Sequence, residues 1–380
     1  MSLKSFEKKL FHKYFNTYRV VLYAKTYKKF CKICGVDAHK KAIGEDAWIE
    51  KWSGFEVKPN PLYYRLFSKF CGPDSRIVPE DICRSVIEVA LNPPRFSKFY
   101  ADKNMYTKLF GEKVTPKTVL RRMQGFYYDH GYNYIEKVSD DELYGRLDEF
   151  LVDKFIIKPS IDNNSGHGFH TICKQNGKYY LDDTREEVTM SLLEEKDGNN
   201  FIIQPFMKQL DEMNNFCSTS VVPIRIETYR SVVDDKVHVL EGGVLRIGME
   251  GESSDGTHGN GVTVGINNDG SLMHHAVNYK GEIFEKFNGI DFTQNYVIPN
   301  FEQIKELAIN VAMNVPHQRL LAFDIMLGDD GTPIMFEFNV EAYSMWLAQF
   351  VGITGFGEFT DEILDYCRQH ASELEMCRLY

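Results

Sequence analysis

Residues 320–339 read LLAFDIML, GDDGT and PIMFEFN in succession, and this stretch decides the fold. Two apolar runs flank Asp330-Gly331, a dipeptide that favours a tight hairpin because a type I′ turn needs positive φ at both central residues. If Asp330 and Gly331 form that turn, Asp324 on the first strand lies opposite Glu337 on the second. Strand alternation then places Asn339 on the same face as Glu337.

The aromatic residues of this stretch, Phe323, Phe336 and Phe338, fall on the opposite face of the predicted hairpin. Facing side chains in a hairpin lie about 5 Å apart at Cβ, so two carboxylates there would repel each other unless a cation lay between them. Mg²⁺ takes oxygen ligands from one or two carboxylates plus substrate phosphates. The pattern therefore predicts a metal site, and the alternative is an exposed polar face on an edge hairpin.

A second segment ends an apolar run with a lysine, in Phe155–Lys158, and continues into a loop of small polar residues at 160–168. A cation at the end of an apolar strand is unfavourable unless an anion approaches it. The following loop contains Ser165, Gly166, His167 and Gly168, and such a loop can turn backbone N–H groups toward phosphate oxygens. Because no Gly-Lys-Ser/Thr opens a helix here, the loop is not a Walker A motif.

Three further polar residues interrupt apolar strands. Gln204 ends Phe201–Gln204, and Arg225 and Arg246 lie within strand-like runs. A guanidinium in an apolar strand favours a bidentate anionic partner, which could be a substrate group or simply Glu227 or Glu241. The loop 251–261 adds polar residues that could reach the same cleft, namely Asp255, Thr257, His258 and Asn260.

The composition is that of a globular protein of two or three domains, with 380 residues, 43% hydrophobic and 26% charged. The sequence contains no apolar run long enough for a membrane-spanning helix and no secretory leader. Its cysteines are scattered at irregular spacing, which is typical of reduced thiols. These features predict a cytoplasmic protein.

Charge is distributed unevenly along the chain, whose net charge is −10. Residues 1–41 carry eleven Lys and Arg against Glu7 and Asp37, and the remainder is strongly acidic. The basic segment is interleaved with Phe and Tyr, which suits peripheral contact with an anionic membrane surface or an anionic glycan. The alternative is a solvated helix face whose aromatic residues pack on the body. An acidic body predicts no binding to nucleic acid.

The order of elements predicts an α+β fold. Residues 1–100 are typical of helices broken by proline-rich turns, and β-branched runs begin near residue 150. Residues 267–270, Asn-Asn-Asp-Gly, predict a turn between two strands. The predicted strands are Phe155–Lys158, Phe201–Gln204, Ile224–Val233, Val237–Arg246, Val262–Ile266, Leu320–Leu327 and Pro333–Asn339, and the predicted helices include Phe301–Val315 and Glu358–Cys377.

Taken in order, these motifs resemble the ATP-grasp superfamily. The matching residues are Asp102-Lys103, Lys158-Pro159-Ser160 with its loop, Gln204-Pro205-Phe206, Arg246, Asp324 and Glu337-Phe338-Asn339. Within the superfamily the chain is most similar to the sugar-transfer-associated ATP-grasp proteins of polysaccharide biosynthesis. The residues that carry this finer likeness are Pro223-Ile224-Arg225, Leu245-Arg246-Ile247-Gly248 and the glycine-rich stretch that ends at residues 261–266.

The resemblance implies an ATP-grasp fold, two α+β lobes gripping ATP, here preceded by a mainly helical region. The sequence itself predicts residues 1–100 as that helical region, a candidate for contact with an acceptor or a membrane surface. The resemblance implies 101–200 as the lobe with the phosphate lid and 201–380 as the lobe with the metal site. The usual α/β domain before the grasp is not evident in residues 1–100, so the acceptor cannot be carried over from the family.

The resemblance also assigns roles by position. Lys103 and Lys158 would contact the ATP phosphates under a lid of Ser165, Gly166, His167 and Gly168. Gln204 and the backbone of Phe206 and Met207 would meet the adenine edge, although the family usually has a glutamate or another acceptor at position 204. Asp211 or Glu212 would hold the ribose, Arg246 would stabilise the charged intermediate, and Arg225 would hold the carboxylate or acceptor. Asp324, Glu337 and Asn339 would bind two Mg²⁺ ions, which Mn²⁺ can replace.

The implied activity is an ATP-dependent ligase that joins a carboxylate to an amine, a thiol or a hydroxyl through an acyl phosphate. Carbon–nitrogen bond formation is the first expectation, with small-molecule or glycan substrates from a polysaccharide pathway. Two alternatives stay open at this point: a kinase of the same fold that phosphorylates a sugar or polyol hydroxyl, and a nucleotide-binding module without catalysis.

Overall fold

The structure is a computed structural model that describes residues 18, 21–161, 168–252, 259–340 and 345–370. Within these ranges the chain divides into two compact units. The first unit comprises the described residues up to Lys98, those of Asp211–Met326 and those from Phe338 onward. The second unit comprises the described residues of Phe99–Leu210 together with Leu327–Glu337. The roles that the sequence assigns to its three segments remain predictions.

Helices account for most of the described chain before residue 110, as the sequence predicted. In chain order the helices are α1 (residues 21–33), α2 (Glu45–Trp52), α3 (Pro61–Cys71), α4 (Glu80–Ile82), α5 (Glu88–Leu91), α6 (Pro94–Ala101), α7 (Tyr106–Phe110), α8 (Asp140–Asp148), α9 (Met190–Asp197), α10 (Asp211–Asn214), α11 (Phe301–Met313), α12 (Trp346–Phe350) and α13 (Thr360–Gln369). A π-helical turn, Cys83–Ile87, joins α4 to α5, and short 3₁₀ turns lie at Lys103–Met105 and Gly357–Phe359.

The strands begin after residue 119. They are β1 (Leu120–Met123), β2 (Phe126–Tyr128), β3 (Tyr134–Ile135), β4 (Lys154–Pro159), β5 (His170–Gln175), β6 (Lys178–Leu181), β7 (Phe201–Pro205), β8 (Ile224–Arg230), β9 (Val237–Val239), β10 (Gly243–Ile247), β11 (Val262–Ile266), β12 (Leu272–Val277), β13 (Ile283–Phe284), β14 (Lys286–Phe287), β15 (Ile290–Asp291), β16 (Leu320–Leu327) and β17 (Pro333–Asn339).

Two large sheets organise the described residues. One is seven-stranded, with the order β3-β2-β1-β7-β4-β5-β6. The other is eight-stranded, with the order β13-β12-β11-β10-β8-β16-β17 and with β9 paired to β8. Neighbouring strands run antiparallel in the seven-stranded sheet, and so do the neighbours of β8, β10, β11 and β12. Antiparallel sheets with segregated helices confirm the predicted α+β class.

Local sequence signals account for several element boundaries. The side chain of Asn60 accepts a hydrogen bond from the Leu62 N–H, and Pro61 occupies the first position of α3, so this helix begins where the sequence supplies a cap. Ser139 and Glu142 form a reciprocal capping box at the start of α8. The predicted turn at 267–270 is confirmed by the hydrogen bond from the Gly270 N–H to the Asn267 carbonyl, 2.9 Å.

Two predicted strands are shorter or divided in the structure. The run Val237–Arg246 forms β9 and β10 instead of one strand, because Gly242 adopts φ +64° between them. The run Ile224–Val233 ends as β8 at Arg230, because the chain turns back from Ser231, whose N–H donates to the Lys236 carbonyl. Both misses occur where a turn lacks the strong Asn-Gly or Asp-Gly signal of a two-residue hairpin.

The turn between β16 and β17 differs from the predicted type I′. The Gly331 N–H donates to the Gly328 carbonyl at 2.8 Å, and the Gly328 N–H donates to the Thr332 carbonyl at 2.9 Å. Gly331 has φ +80°, whereas Asp330 lies outside the positive-φ region that a type I′ turn requires of it. The loop therefore has three residues with the glycine in the left-handed position, and the register argument built on a two-residue turn was wrong at this end of the hairpin. The predicted opposition of Asp324 and Glu337 stays a prediction.

The described part of the basic segment has the arrangement of a solvated helix face. Its lysines are exposed, whereas Tyr27 is buried and the Phe30 ring stacks on Trp346, with centroids 6.3 Å apart. This supports the alternative in which the aromatic residues pack on the body. Among the described residues, none of the helices has both the length and the apolar character needed to cross a membrane.

Candidate functional site

Lys103 and Lys158 approach each other in the second unit. Lys158 lies in β4, and the carbonyl of Ser160, just after this strand, accepts a hydrogen bond from the Lys103 N–H at 2.9 Å. Lys103 opens a 3₁₀ turn whose cap is Asp102, because the Asp102 Oδ1 accepts from the Asn104 N–H at 2.9 Å. The backbone thus connects the turn that carries one lysine to the end of the strand that carries the other, and the structure brings together two residues predicted to bind phosphate.

Glu337 completes this cluster. Its carboxylate lies 3.0 Å from the Lys103 Nζ, and the Lys103 side chain is only 8% exposed. Burial and, to a smaller extent, the nearby Lys103 lower the pKa of Lys158 to about 8, and the Glu337 carboxylate acts in the opposite direction. A depressed lysine pKa means that the protonated form lacks sufficient anionic compensation. Two lysines against one carboxylate leave a net positive charge, which favours a further anion such as a phosphate.

The first unit contains a compact arginine–aspartate cluster. Arg225 donates to Asp324 through two hydrogen bonds, Nε to Oδ1 at 2.9 Å and Nη2 to Oδ2 at 2.8 Å. Arg246 donates from Nη1 to the same Oδ2 at 3.2 Å. The pairing follows from the sheet, since Asp324 faces Arg225 across β16 and β8, and Arg225 faces Val244 across β8 and β10. Of the partners considered from sequence, Asp324 takes the place of Glu227 and Glu241 in these bonds.

Asp324 is ionised despite its burial. Its side chain is only 3% exposed, and burial alone would raise its pKa, but the guanidinium groups of Arg225 and Arg246 outweigh that effect and hold the pKa below its usual value. Asp324 therefore does not belong to an exposed polar face. Two guanidinium groups that bind one carboxylate form a largely buried cationic cluster in this unit.

The residues present fit a hard divalent cation by donor chemistry. Asp324 Oδ1 accepts one hydrogen bond from Arg225, which leaves a second lone pair on that oxygen for a metal. The Nδ2 of Asn339 is buried and has no hydrogen-bond partner among the described residues, so the amide is not committed to a protein contact on that side. Carboxylate and amide oxygens are ligands that Mg²⁺ accepts. The described part of the chain contains no group of three or more His, Cys, Asp or Glu side chains that could hold a metal ion by themselves.

The predicted adenine contacts are placed at the end of β7. Gln204 is buried, and its Nε2 reaches the Pro116 carbonyl at 3.5 Å, the outer limit of a hydrogen bond. The Phe206 N–H donates to the Lys154 carbonyl at 2.9 Å, and the Lys154 ammonium lies 4.5 Å from the centre of the Phe206 ring. The Phe206 N–H is therefore already engaged within the protein. Met207 follows as a half-buried residue.

Only some of the other predicted site residues lie within the described ranges. Asp211 and Glu212 are exposed in the first turn of α10, and Asp211 Oδ1 accepts a hydrogen bond from Asn214 at 3.3 Å. Gly168 is exposed with φ +82°, whereas Ser165, Gly166 and His167 lie outside the described residues, as do Asp255, Thr257 and His258. Asn260 donates to the Glu252 carboxylate at 2.8 Å.

Sequence reasoning missed one buried cation near the lysines. Arg121 in β1 is fully buried and donates from Nη1 to the Asn104 carbonyl at 2.9 Å. The signal in the sequence was weak, because Arg121 is followed directly by a second arginine, Arg122, whereas Arg225 lies between two isoleucines. The guanidinium lies 4.3 Å from the centre of the Tyr132 ring, and the Tyr132 hydroxyl donates to the same carbonyl of Asn104 at 2.6 Å.

Comparison with known proteins identifies the family. The model of the sugar-transfer associated ATP-grasp family matches residues 85–363, which is most of the chain. No curated protein matches at a significant level.

Solved structures with a similar chain path include D-cycloserine synthetase DcsG, with 12% identity, a TM-score of 0.39 and coverage of 74% of this chain and 73% of that one. The D-alanine–D-alanine ligase of Bacillus anthracis has 12% identity, a TM-score of 0.37 and coverage of 72% and 69%. The VanG D-Ala:D-Ser ligase of Enterococcus faecalis has 13% identity, a TM-score of 0.38 and coverage of 70% and 60%. Because these scores lie below 0.5, the assignment rests on the sequence match. The chain belongs to the sugar-transfer associated ATP-grasp family.

Proposed function

We propose that this protein is an ATP- and Mg²⁺-dependent ligase that activates a carboxylate as an acyl phosphate and joins it to an amine. The observation that carries the proposal is the presence of two largely buried clusters of cations. Lys103 and Lys158 lie together with Glu337, and Arg225 and Arg246 both bind Asp324. Phosphoryl transfer requires such cations, because charge on the transferring group must be neutralised in the transition state.

In the proposed reaction, a carboxylate oxygen attacks the γ-phosphorus of ATP and the bond to the β,γ-bridging oxygen breaks, which gives an acyl phosphate and ADP. An amine then attacks the acyl carbon, loses a proton and expels phosphate, and an amide results. Lys103 and Lys158 bind and orient the phosphates. Arg246 stabilises the charge on the tetrahedral intermediate, and Arg225 holds the carboxylate.

Asp324, Glu337 and Asn339 are the residues proposed to hold Mg²⁺, which would neutralise phosphate charge and orient the terminal phosphoryl group. Ser165, Gly166, His167 and Gly168 are proposed to cover the phosphates. Gln204 and the Phe206 carbonyl are proposed to face the adenine, with Met207 beside them and Asp211 or Glu212 at the ribose. A thiol or a hydroxyl could replace the amine without changing these roles.

The substrate is proposed to be a sugar or polysaccharide precursor. The family description, which links these proteins to sugar transfer, supports this choice. We propose that residues 1–100 contribute to acceptor binding and that the basic segment 1–41 contacts an anionic glycan or membrane surface through the lysines of its exposed helix face. None of the cysteines in the described ranges forms a disulfide bond, which supports our proposal of a reducing cytoplasm as the location.

The test is a screen for Mg·ATP-dependent phosphate release over amino acids and uronic-acid sugars, with mass spectrometry of the products. A ligase releases phosphate only when both a carboxylate and a nucleophile are present, and its product carries no phosphorus. A stable phosphorylated sugar or polyol would instead identify a kinase. Binding of Mg·ATP without turnover over the whole panel would favour a nucleotide-binding module.

A further inference from the structure

We infer that Arg121 and Tyr132 are positioning residues that fix the turn carrying Lys103, and through it the affinity for the phosphates of the nucleotide. The inference rests on the proposed function, because it assigns these two residues a role in ATP binding. Both residues lie in the second unit, in the same unit as Lys103, Lys158 and Glu337.

The carbonyl of Asn104 is the point at which both residues act. It accepts a hydrogen bond from Arg121 Nη1 at 2.9 Å and another from the Tyr132 hydroxyl at 2.6 Å. A carbonyl oxygen has two lone pairs, so these donors saturate it and fix the orientation of the peptide that follows Asn104. Asn104 is itself fully buried, and its Nδ2 donates to the Arg122 carbonyl at 3.1 Å. The residue directly after Lys103 is therefore fastened to β1 by its side chain and by its carbonyl.

The other end of the turn is fastened as well. The Lys103 N–H donates to the Ser160 carbonyl, and the Asp102 carboxylate caps the turn at the Asn104 N–H. Lys103 consequently has little backbone freedom, and its ammonium is held at 3.0 Å from Glu337. Fixing a cation before the ligand arrives reduces the entropy that binding must otherwise overcome.

Burial of the Arg121 guanidinium has an energetic cost that packing alone does not explain. Its side chain is fully buried, and its Nε and Nη2 have no hydrogen-bond partner within the described ranges. An unsatisfied buried donor destabilises the fold, and an apolar side chain of similar length would fill the same space without that penalty. What an apolar side chain cannot supply is a charged donor to the Asn104 carbonyl beside an aromatic ring.

The conformation of Tyr132 is also unfavourable in itself. Its backbone has φ +65°, which is unfavourable for a residue with a Cβ. The neighbouring Asp129 carboxylate accepts hydrogen bonds from the Asn133 N–H and side-chain amide, which hold this loop. In this conformation the hydroxyl reaches Asn104 and also accepts from the Lys108 N–H at 3.0 Å, while the ring lies under Arg121.

The experiment measures the dissociation constant of Mg·ADP by calorimetry for the full chain and five variants. Lys103→Met reports the direct contribution of the lysine. Arg121→Met and Tyr132→Phe each remove one donor to Asn104. Tyr144→Phe is the matched control, because it removes a hydroxyl that donates to the Val188 carbonyl at 3.1 Å in the same unit. The fifth variant combines Arg121→Met with Lys103→Met.

We expect Arg121→Met to weaken Mg·ADP binding about tenfold and Tyr132→Phe about threefold, in line with the loss of one hydrogen bond to the turn. Tyr144→Phe should bind as the wild type does. In the Lys103→Met background, Arg121→Met should change the affinity by less than about twofold, because the lysine that it positions is gone. Such non-additivity is not expected of a merely structural role.

Two results would overturn the inference while leaving the proposed function intact. The first is that Arg121→Met and Tyr132→Phe both bind Mg·ADP with wild-type affinity while Lys103→Met binds it weakly. The second is that Arg121→Met weakens Mg·ADP binding by the same factor in the wild-type and the Lys103→Met background, which would indicate general destabilisation. If Arg121→Met does not fold, the same cycle is run with Tyr132→Phe. A wild-type chain that does not bind Mg·ADP at all would contradict the proposed function itself, and the inference with it.

Discussion

At the scale of single residues, the molecule keeps charged groups in places where burial opposes them. Lys103 and Asp324 are almost fully buried, and each is paired with a group of opposite charge on a neighbouring element. Each of these two residues also lies beside a second cation, Lys158 near Lys103 and Arg246 beside Arg225 at Asp324. Buried groups of ionisable side chains are often found at functional sites, where they bind charged ligands.

Glu337 offers the cleanest test of the metal assignment. We expect Glu337→Gln to reduce Mg·ATP-dependent turnover by at least about 100-fold, because it removes a proposed metal ligand without changing side-chain volume. The measurement is phosphate release as a function of Mg²⁺ concentration. Glu195→Gln, an exposed glutamate on α9 of the same unit, is the matched control and should retain activity. Unchanged turnover and Mg²⁺ dependence in Glu337→Gln would refute the assignment.

Asp324 should instead have a large effect on stability. Asp324→Asn leaves the guanidinium groups of Arg225 and Arg246 without their shared carboxylate, and breaking a buried ion pair typically costs about 3–5 kcal/mol. Urea denaturation should show this loss in the free energy of unfolding. For comparison, Asp234→Asn alters an exposed ion pair with His238 and should have a much smaller effect on stability. Equal stability of the two variants would contradict the buried triad.

At the scale of secondary-structure elements, the features that could be predicted are those marked by residues close to them in the sequence. The bounds of β11, β16 and β17 coincide with the prediction, because glycine, proline or a polar turn marks their ends. Pairing over long distances could not be predicted. Asp324 faces Arg225 only because β16 lies beside β8, and nothing in either strand specifies that neighbour. The type of the β16–β17 turn was missed for a related reason, since Asp-Gly is compatible with more than one loop length.

Gly331 distinguishes the observed turn from the predicted one. Gly331→Ala should destabilise the chain by about 1 kcal/mol, because φ is +80° there. Asp330→Gly should also destabilise it, because the Asp330 carboxylate accepts from the Thr332 N–H at 2.8 Å and its backbone does not need positive φ. Thermal unfolding measures both effects.

The control for this pair of variants is a glycine substitution that should raise the free energy of unfolding instead of lowering it. Gly145 lies inside α8 with open space around its Cα, so Gly145→Ala should stabilise the chain by about 0.5–1 kcal/mol. Stabilisation by Asp330→Gly would favour the type I′ turn and contradict the observed one.

Asp81, beside the π-helical turn, should make stability depend on pH. It is fully buried, and burial raises its pKa to about 7, so the folded state binds a proton that the unfolded chain releases at a lower pH. Its contribution to stability is therefore fully present below the unfolded pKa and is lost as pH rises through 7.

The corresponding variant is Asp81→Asn, whose amide oxygen can still accept from the Ile82 N–H. Relative to the wild type, we expect its free energy of unfolding to rise between pH 4 and pH 8, by on the order of 2–4 kcal/mol. Urea denaturation at several pH values measures the difference, and parallel curves for the two proteins would show that Asp81 does not titrate in this range.

At the scale of the whole molecule, sequence and structure agree on the α+β fold class, and the family assignment rests on the match to residues 85–363. The nucleotide half of the site could be proposed from sequence, because lysines and carboxylates in apolar strands are unusual enough to be informative. The second substrate could not be proposed with the same detail, because acceptor specificity depends on the shape of a pocket and not on a short motif. Arg121 was missed for the reason that positioning residues act through contacts visible only after folding.

The most direct test of the central claim is the fate of a carboxylate oxygen. A carboxylate found active in the substrate screen is labelled with ¹⁸O and turned over with Mg·ATP and the amine, and the released phosphate is analysed by mass spectrometry. Activation as an acyl phosphate predicts one ¹⁸O atom in each phosphate, because the bond from acyl carbon to oxygen breaks when the amine attacks. Unlabelled phosphate, or a phosphorylated product that keeps both labelled oxygens, would contradict the account.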